Sequence, residues 1–196
     1  MRKAIHSIEW LSYFWFMIIC LIAILVQLVY PQLPGKMPGE KIIYGKAVRI
    51  ADGDTFTLLT DDKQNIRIRL NGIDAPEKTQ PFFQVSRERL ATLLNNHRVR
   101  IMVTGSDRYG RLLADVFVPG NDSSVNLRLV AAGLAWHFIR YSSDPVLAQA
   151  ETQARVRQLG LWKQHTPQAP WTFRAAIRTK NSLKKKGIAD PLLKGF

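Results

Sequence analysis

Residues 10–30 form a run of 21 without one charged side chain, and this run limits the architecture more than any other feature. Its only strongly polar members are Ser12 and Gln27. About 20 apolar residues in a helix cross a bilayer core, so the length fits a full span. Trp10, Tyr13 and Trp15 cluster near one end and Tyr30 closes the other, as aromatics do at the two membrane interfaces. A buried core helix is a weaker reading, because the segment lacks a polar face. Residues 1–30 therefore read as an N-terminal membrane anchor carrying one transmembrane helix. The competing reading is a cleaved signal peptide, with secretion as its consequence. Signal peptides have shorter apolar cores and a small-residue cleavage site, which the stretch from Leu28 to Pro34 does not offer. Arg2 and Lys3 favour a cytoplasmic N-terminus, although Lys36, Lys41, Lys46 and Arg49 follow the run. Folded domains translocate largely regardless of charge, so the short tail weighs more. The expectation is a single-pass protein whose main domain lies outside the cytoplasm, periplasmic or extracellular.

Residues 31–40 carry three prolines and two glycines and read as a linker. From Lys41 short strands are expected: 42–50, 55–60, 65–70, 99–103 and 112–118. The third alternates, with Ile66, Ile68 and Leu70 facing one way and Arg67 and Arg69 the other. Asp61, Asp62 and Lys63 form a hairpin turn between the second and third. About three helices are expected. Pro81 opens one to about Asn96, Val125–Ala132 is stopped by Gly133, and Asp144-Pro145 caps one that ends near Gly160. The class is α+β, mainly β. A five-stranded OB-fold barrel is one architecture this tally allows, among several α+β folds.

The chain carries a net charge of +13, which favours a polyanionic partner, nucleic acid or anionic lipid. Residues 163–196 hold eight Lys/Arg against the single acid Asp190, which is more than half of that surplus. Residues 172–196 read as a flexible basic tail in contact with a polyanion, or as a merely solubilising one. The lone Cys20 allows no intrachain disulfide, and the four scattered histidines make no zinc pattern.

Chemistry concentrates at strand ends. Asp52-Gly53-Asp54 sits between strands one and two, and Asp74-Ala75-Pro76-Glu77 follows strand three. Each group alone is an ordinary turn. Together, Asp54 and Asp74 offer carboxylates and the backbone beside Pro76 a carbonyl, the hard oxygens a divalent cation takes. Glu77, ionised at neutral pH, suits a general base acting on water. Arg69 and Arg111 offer guanidiniums for the charge that builds on a phosphodiester during hydrolysis.

Five stretches in order, ADGDTFTLL, IRIRLNGIDAPEKTQPF, SDRYGRLLADVFV, VNLRLVAAGLAW and AETQARVRQLGLW, resemble the staphylococcal nuclease-like (thermonuclease) family over about 42–171. That resemblance selects the OB-fold and implies one nuclease domain over residues 41–171. It implies a Ca²⁺-dependent hydrolase of DNA and RNA with little sequence preference, leaving 3′-phosphates. By position, Asp54, Asp74 and the Ala75 carbonyl look like the metal ligands. Arg69, Glu77 and Arg111 look catalytic, Asp52 looks like a supporting acid, and Tyr109, Tyr141 and Arg108 look like nucleic-acid contacts. Ala75 stands where some members carry threonine, a change that a backbone ligand survives. A monomer with no small-molecule cofactor is expected. The alternative is an inactive OB-fold that binds nucleic acid while tethered to the membrane; such a copy would be expected to lose these carboxylates or arginines.

Overall fold

The computed structural model describes residues 41–185, together with Trp15, Met17, Ile18, Ile19 and Leu21, which are helical. The chain divides into two compact units, Met1–Glu40 and Lys41–Phe196. No helix among the described residues is long and apolar enough to cross a membrane. Apart from those five residues, the anchor expected over 10–30 lies outside the described residues, as does the linker over 31–40.

In chain order the strands are β1 (Lys41–Ile50), β2 (Thr55–Thr60), β3 (Asn65–Leu70), β4 (Ile73–Asp74), β5 (Arg98–Ser106), β6 (Leu112–Phe117) and β7 (Trp136–His137). Five of them close a barrel in the order β1-β2-β3-β6-β5, consistent with an OB-fold. Every pairing in it is antiparallel except β3 with β6, where Ile68 lies opposite Leu112. The alternation expected of β3 holds: Ile68 and Leu70 are buried, while Arg67 is exposed. They join Phe56, Leu58, Val99, Ile101, Ala114 and Val116 in the barrel core. Burying one such Leu, Ile or Phe is worth about 1.5–3 kcal/mol. Closure also leaves no long sheet edge open to another chain.

The α-helices among the described residues are α1 (Phe83–Leu94), α2 (Val125–Ala131), α3 (Pro145–Val156) and α4 (Pro170–Lys185), with a 3₁₀ turn over Gly160–Lys163. α1 starts two residues after Pro81, because Phe82 adopts a left-handed conformation that interrupts the turn. It buries Leu90, Leu93 and Leu94 against the barrel core. α2 is capped by Ser124, whose Oγ accepts from the Leu127 N–H at 3.1 Å. α3 has the expected Asp144 cap and Pro145 start. Gly133 ends α2 at φ 66°, and a Cβ there would lie 2.2 Å from the Leu159 carbonyl oxygen. Only glycine permits that approach, which lets the Gly133 carbonyl accept from the Leu161 N–H at 2.8 Å.

The largest difference from expectation is α4. The basic segment after residue 171, read as a flexible tail, is helical to Lys185. The physical reason lies at its start: Ala169, just before the helix, and Pro170, its first residue, are buried, and Trp171 stacks on Phe138 at 5.0 Å with planes 7° apart. Tertiary contact of this kind supplies the nucleus that a short isolated helix lacks in water.

Candidate active site

The β1–β2 turn places two acids at one end of the barrel. The Asp54 N–H donates to Asp52 Oδ1 at 3.1 Å, closing an Asx turn. Gly53 between them is pressed against α1: a Cβ there would lie 2.0 Å from Ser86 Oγ and 2.8 Å from Ala75 Cβ. Its lack of a side chain lets the turn approach Ala75, whose N–H donates to Asp54 Oδ2 at 2.7 Å. Asp74 is fixed from another direction, in the two-residue strand β4 paired with Trp136 of β7. Asp54 and Asp74 are 2% and 1% exposed.

Arg69 stands opposite Thr55 in the β2–β3 ladder and reaches both acids. One guanidinium nitrogen pairs with Asp54 Oδ1, and the other donates to Asp74 Oδ1 at 2.7 Å and to the Ile73 carbonyl at 3.3 Å. Arg111 is oriented by Asp107, which accepts from its Nε at 2.7 Å. Arg111 Nη1 donates to Thr55 Oγ at 3.3 Å, and that hydroxyl donates to Asp54 Oδ1 at 3.0 Å. Arg69 and Arg111 therefore flank Asp54 in one hydrogen-bonded chain. Glu77 is half-exposed. Its backbone is held by Gln80, whose Oε1 accepts from the Glu77 N–H at 2.9 Å while Nε2 donates to the Gln168 carbonyl at 2.9 Å.

A third guanidinium completes the site. Arg174 of α4 donates from Nη2 to Asp74 Oδ2 at 2.8 Å and from Nη1 to Asp74 Oδ1 at 3.2 Å and Glu77 Oε1 at 2.6 Å. Sequence reasoning missed Arg174, Thr55 and Gln80. For Arg174 a signal existed, because Phe173 and Ile177 recur at helical spacing just after Pro170. Charge density in the tail concealed it.

The acids crowd a poorly solvated spot. Burial, then the charge of Asp54, pushes the Asp52 carboxyl up to about 7. Burial also raises Asp74, against the lowering effect of Arg174 and Arg69. Such a cluster needs positive charge, and Arg69 and Arg174 supply it. Its oxygen donors are also those that a hard divalent cation takes. Among the described residues no three His, Cys, Asp or Glu side chains are disposed to hold a metal. The expected set is smaller than that, two carboxylates and the Ala75 carbonyl, and the donor chemistry fits it.

The expected nucleic-acid contacts flank this centre. Tyr109 is 63% exposed and accepts from Arg108 Nη2 at 2.7 Å. Its ring lies 5.6 Å from the Arg111 guanidinium. Tyr141, 69% exposed, packs edge-on to Phe138 at 4.8 Å, and Phe138 stacks on Trp171 at the root of α4. One tyrosine thus stands on the Arg111 side and the other on the Arg174 side.

Known proteins resemble this chain over the same region. The family described as Staphylococcal nuclease homologue matches residues 67–164, half of the chain. A protein of Haemophilus influenzae named as an uncharacterized endonuclease is 41% identical over 129 residues, covering 66% of this chain and 71% of that protein. One of the same name from Escherichia coli O157:H7 is 39% identical over 132 residues, 67% and 85% of the two chains. A micrococcal nuclease of Shigella flexneri is 41% identical over 144 residues, 68% and 82% of the two.

Proposed function

Because the chain belongs to the family of staphylococcal nuclease homologues, we propose that it is a Ca²⁺-dependent nuclease that hydrolyses phosphodiester bonds of DNA and RNA with little sequence preference. The observation that carries this reading is the convergence of Asp54, Asp74, Glu77, Arg69 and Arg111 at one end of the barrel. Arg69 and Arg111 donate to the nonbridging oxygens of the scissile phosphate, and each is oriented beforehand by an aspartate. Asp54, Asp74 and the Ala75 carbonyl would hold Ca²⁺, which when bound would supply further positive charge for the phosphate. Glu77 orients the attacking water and takes its proton. Water oxygen bonds to phosphorus in line, the bond to the 5′ oxygen breaks, and that oxygen takes a proton from solvent. The products are a 3′-phosphate and a 5′-hydroxyl.

The test is cleavage of single-stranded DNA by the full chain in detergent micelles, with Ca²⁺ and then with excess chelator, beside Glu77→Ser. Cleavage that requires Ca²⁺ and collapses in Glu77→Ser supports the reading. Salt-sensitive binding without cleavage overturns it in favour of a tethered binding module.

The domain is proposed to sit outside the cytoplasm, anchored through residues 10–30. Two observations support this: the charge-free run itself, and the exposure of helical Trp15, Met17, Ile19 and Leu21 within it. A calcium site with so few carboxylates falls in the range of roughly 10⁻⁴–10⁻³ M found in extracellular modules, a concentration met outside cells. Protease added to intact cells should digest the domain; protection would place it in the cytoplasm or behind an outer membrane, and permeabilising that membrane alone separates the two.

A further inference from the structure

α4 carries five cations, Arg174, Arg178, Lys180, Lys184 and Lys185, and no acid. At about 100° per residue, Arg174, Arg178 and Lys185 fall within about 40° of one another, a stripe about 16 Å long. Arg174 lies in the active site, while the other four are exposed and form no ion pair among the described residues. The stripe therefore begins at the catalytic carboxylates and runs outward. Its direction is fixed at the root by the buried Pro170, by Trp171 on Phe138, and by the ion pairs of Arg174. Arg178 and Lys185, exposed on a helix rooted beside Glu77, continue the positive stripe of Arg174 and have no ion-pair partner among the described residues. A polynucleotide longer than the scissile step must leave the site in some direction, and this face has the complementary charge.

We propose that α4 is a strand-binding arm: single-stranded nucleic acid continues from the active site along Arg174, Arg178 and Lys185, which take the phosphates flanking the scissile one. Tyr141 and Trp171 at its root offer aromatic surface on which an unpaired base stacks. The inference rests on the proposed function for the identity of the polyanion. It extends that function to a surface outside residues 67–164, the span that the family model matches.

The test measures fluorescence anisotropy of a labelled single-stranded oligonucleotide with the full chain in nonionic detergent. Excess chelator prevents turnover, and salt is varied. The variant is Arg178→Gln with Lys185→Gln. A charge-matched control, Lys46→Gln with Lys63→Gln, changes the hairpin end of the barrel instead, where Lys46 pairs with Leu59 beside the β2–β3 turn. Each lost phosphate contact flattens the log-affinity against log-salt slope by about 0.7, so the arm variant should lose about 1.4. Its affinity near 0.1 M salt should fall about tenfold, and the control's by less than about twofold. Equal losses in the two variants, or wild-type affinity in the arm variant, overturn the proposal. If the arm variant keeps strand binding but loses binding to phosphatidylserine vesicles, the face belongs to a membrane and the proposal fails. Failure of the nuclease reading appears separately, as absent Ca²⁺-dependent cleavage, which this measurement does not use.

Discussion

A divalent cation held by Asp74 would need oxygens that Arg174 already holds. Arg174 holds both carboxylate oxygens of Asp74 and one of Glu77. Removing its charge should leave those acids a stronger ligand set, so Arg174→Gln should bind Ca²⁺ about tenfold more tightly by calorimetry, a change of about 1.4 kcal/mol. Unchanged or weaker binding would mean that Arg174 does not compete with the metal. Arg69 also holds Asp74, together with Asp54, whereas Arg111 is aimed by Asp107 at the space beside Asp54. Alanine at either should reduce turnover about 10²-fold, as for other charge-stabilising donors. A loss of only a few-fold would remove that arginine from the chemistry. Asp115 shows another residue-scale effect. Burial, then the charge of Asp144, raises its carboxyl to about 6. A carboxyl raised on folding binds more protons in the native state than in the unfolded one. Its contribution is full below pH about 4 and is lost as pH rises through about 6. Asp115→Asn should therefore stabilise the fold at pH 7, by about 1–2 kcal/mol, and have little effect at pH 4. Thermal unfolding at the two pH values checks this, and an equal gain at both would refute it.

At the scale of elements, the barrel strands were legible because alternation and turn chemistry agree. Ile66, Ile68 and Leu70 point one way, and Asp61 to Lys63 mark the hairpin. The site acids were legible as residue types, and the family resemblance supplied the roles expected of them. Two things were not legible. β4 and β7 are two residues each, too short for any period, yet their pairing holds Asp74 in place. The helicity of α4 depends on contact between Trp171 and Phe138, a partner 33 positions earlier in the chain. No local pattern records such a contact. Trp171→Ala removes that stack and the edge contact with Trp136 at 5.6 Å, and should cost about 1–3 kcal/mol in urea unfolding. It should also lower helical circular dichroism, since the free segment is rich in like charge. Unchanged helicity would show that α4 holds without its root.

At the scale of the molecule, the unit from Lys41 carries its own closed barrel and hydrophobic core. A chain lacking residues 1–40 should therefore unfold in one transition, within about 2 °C of the full chain in detergent, since 1 kcal/mol shifts the Tm of a domain this size by about 2–4 °C. A larger drop would assign the N-terminal unit a part in the stability of the barrel.

The carboxylate cluster is neutralised from within by Arg69 and Arg174. Buried acids without partners would otherwise oppose folding and make the fold depend on metal. A fold built this way would need no metal to reach its native state, and a divalent cation entering the cluster would exchange places with a guanidinium that is already there, without refolding the barrel around it.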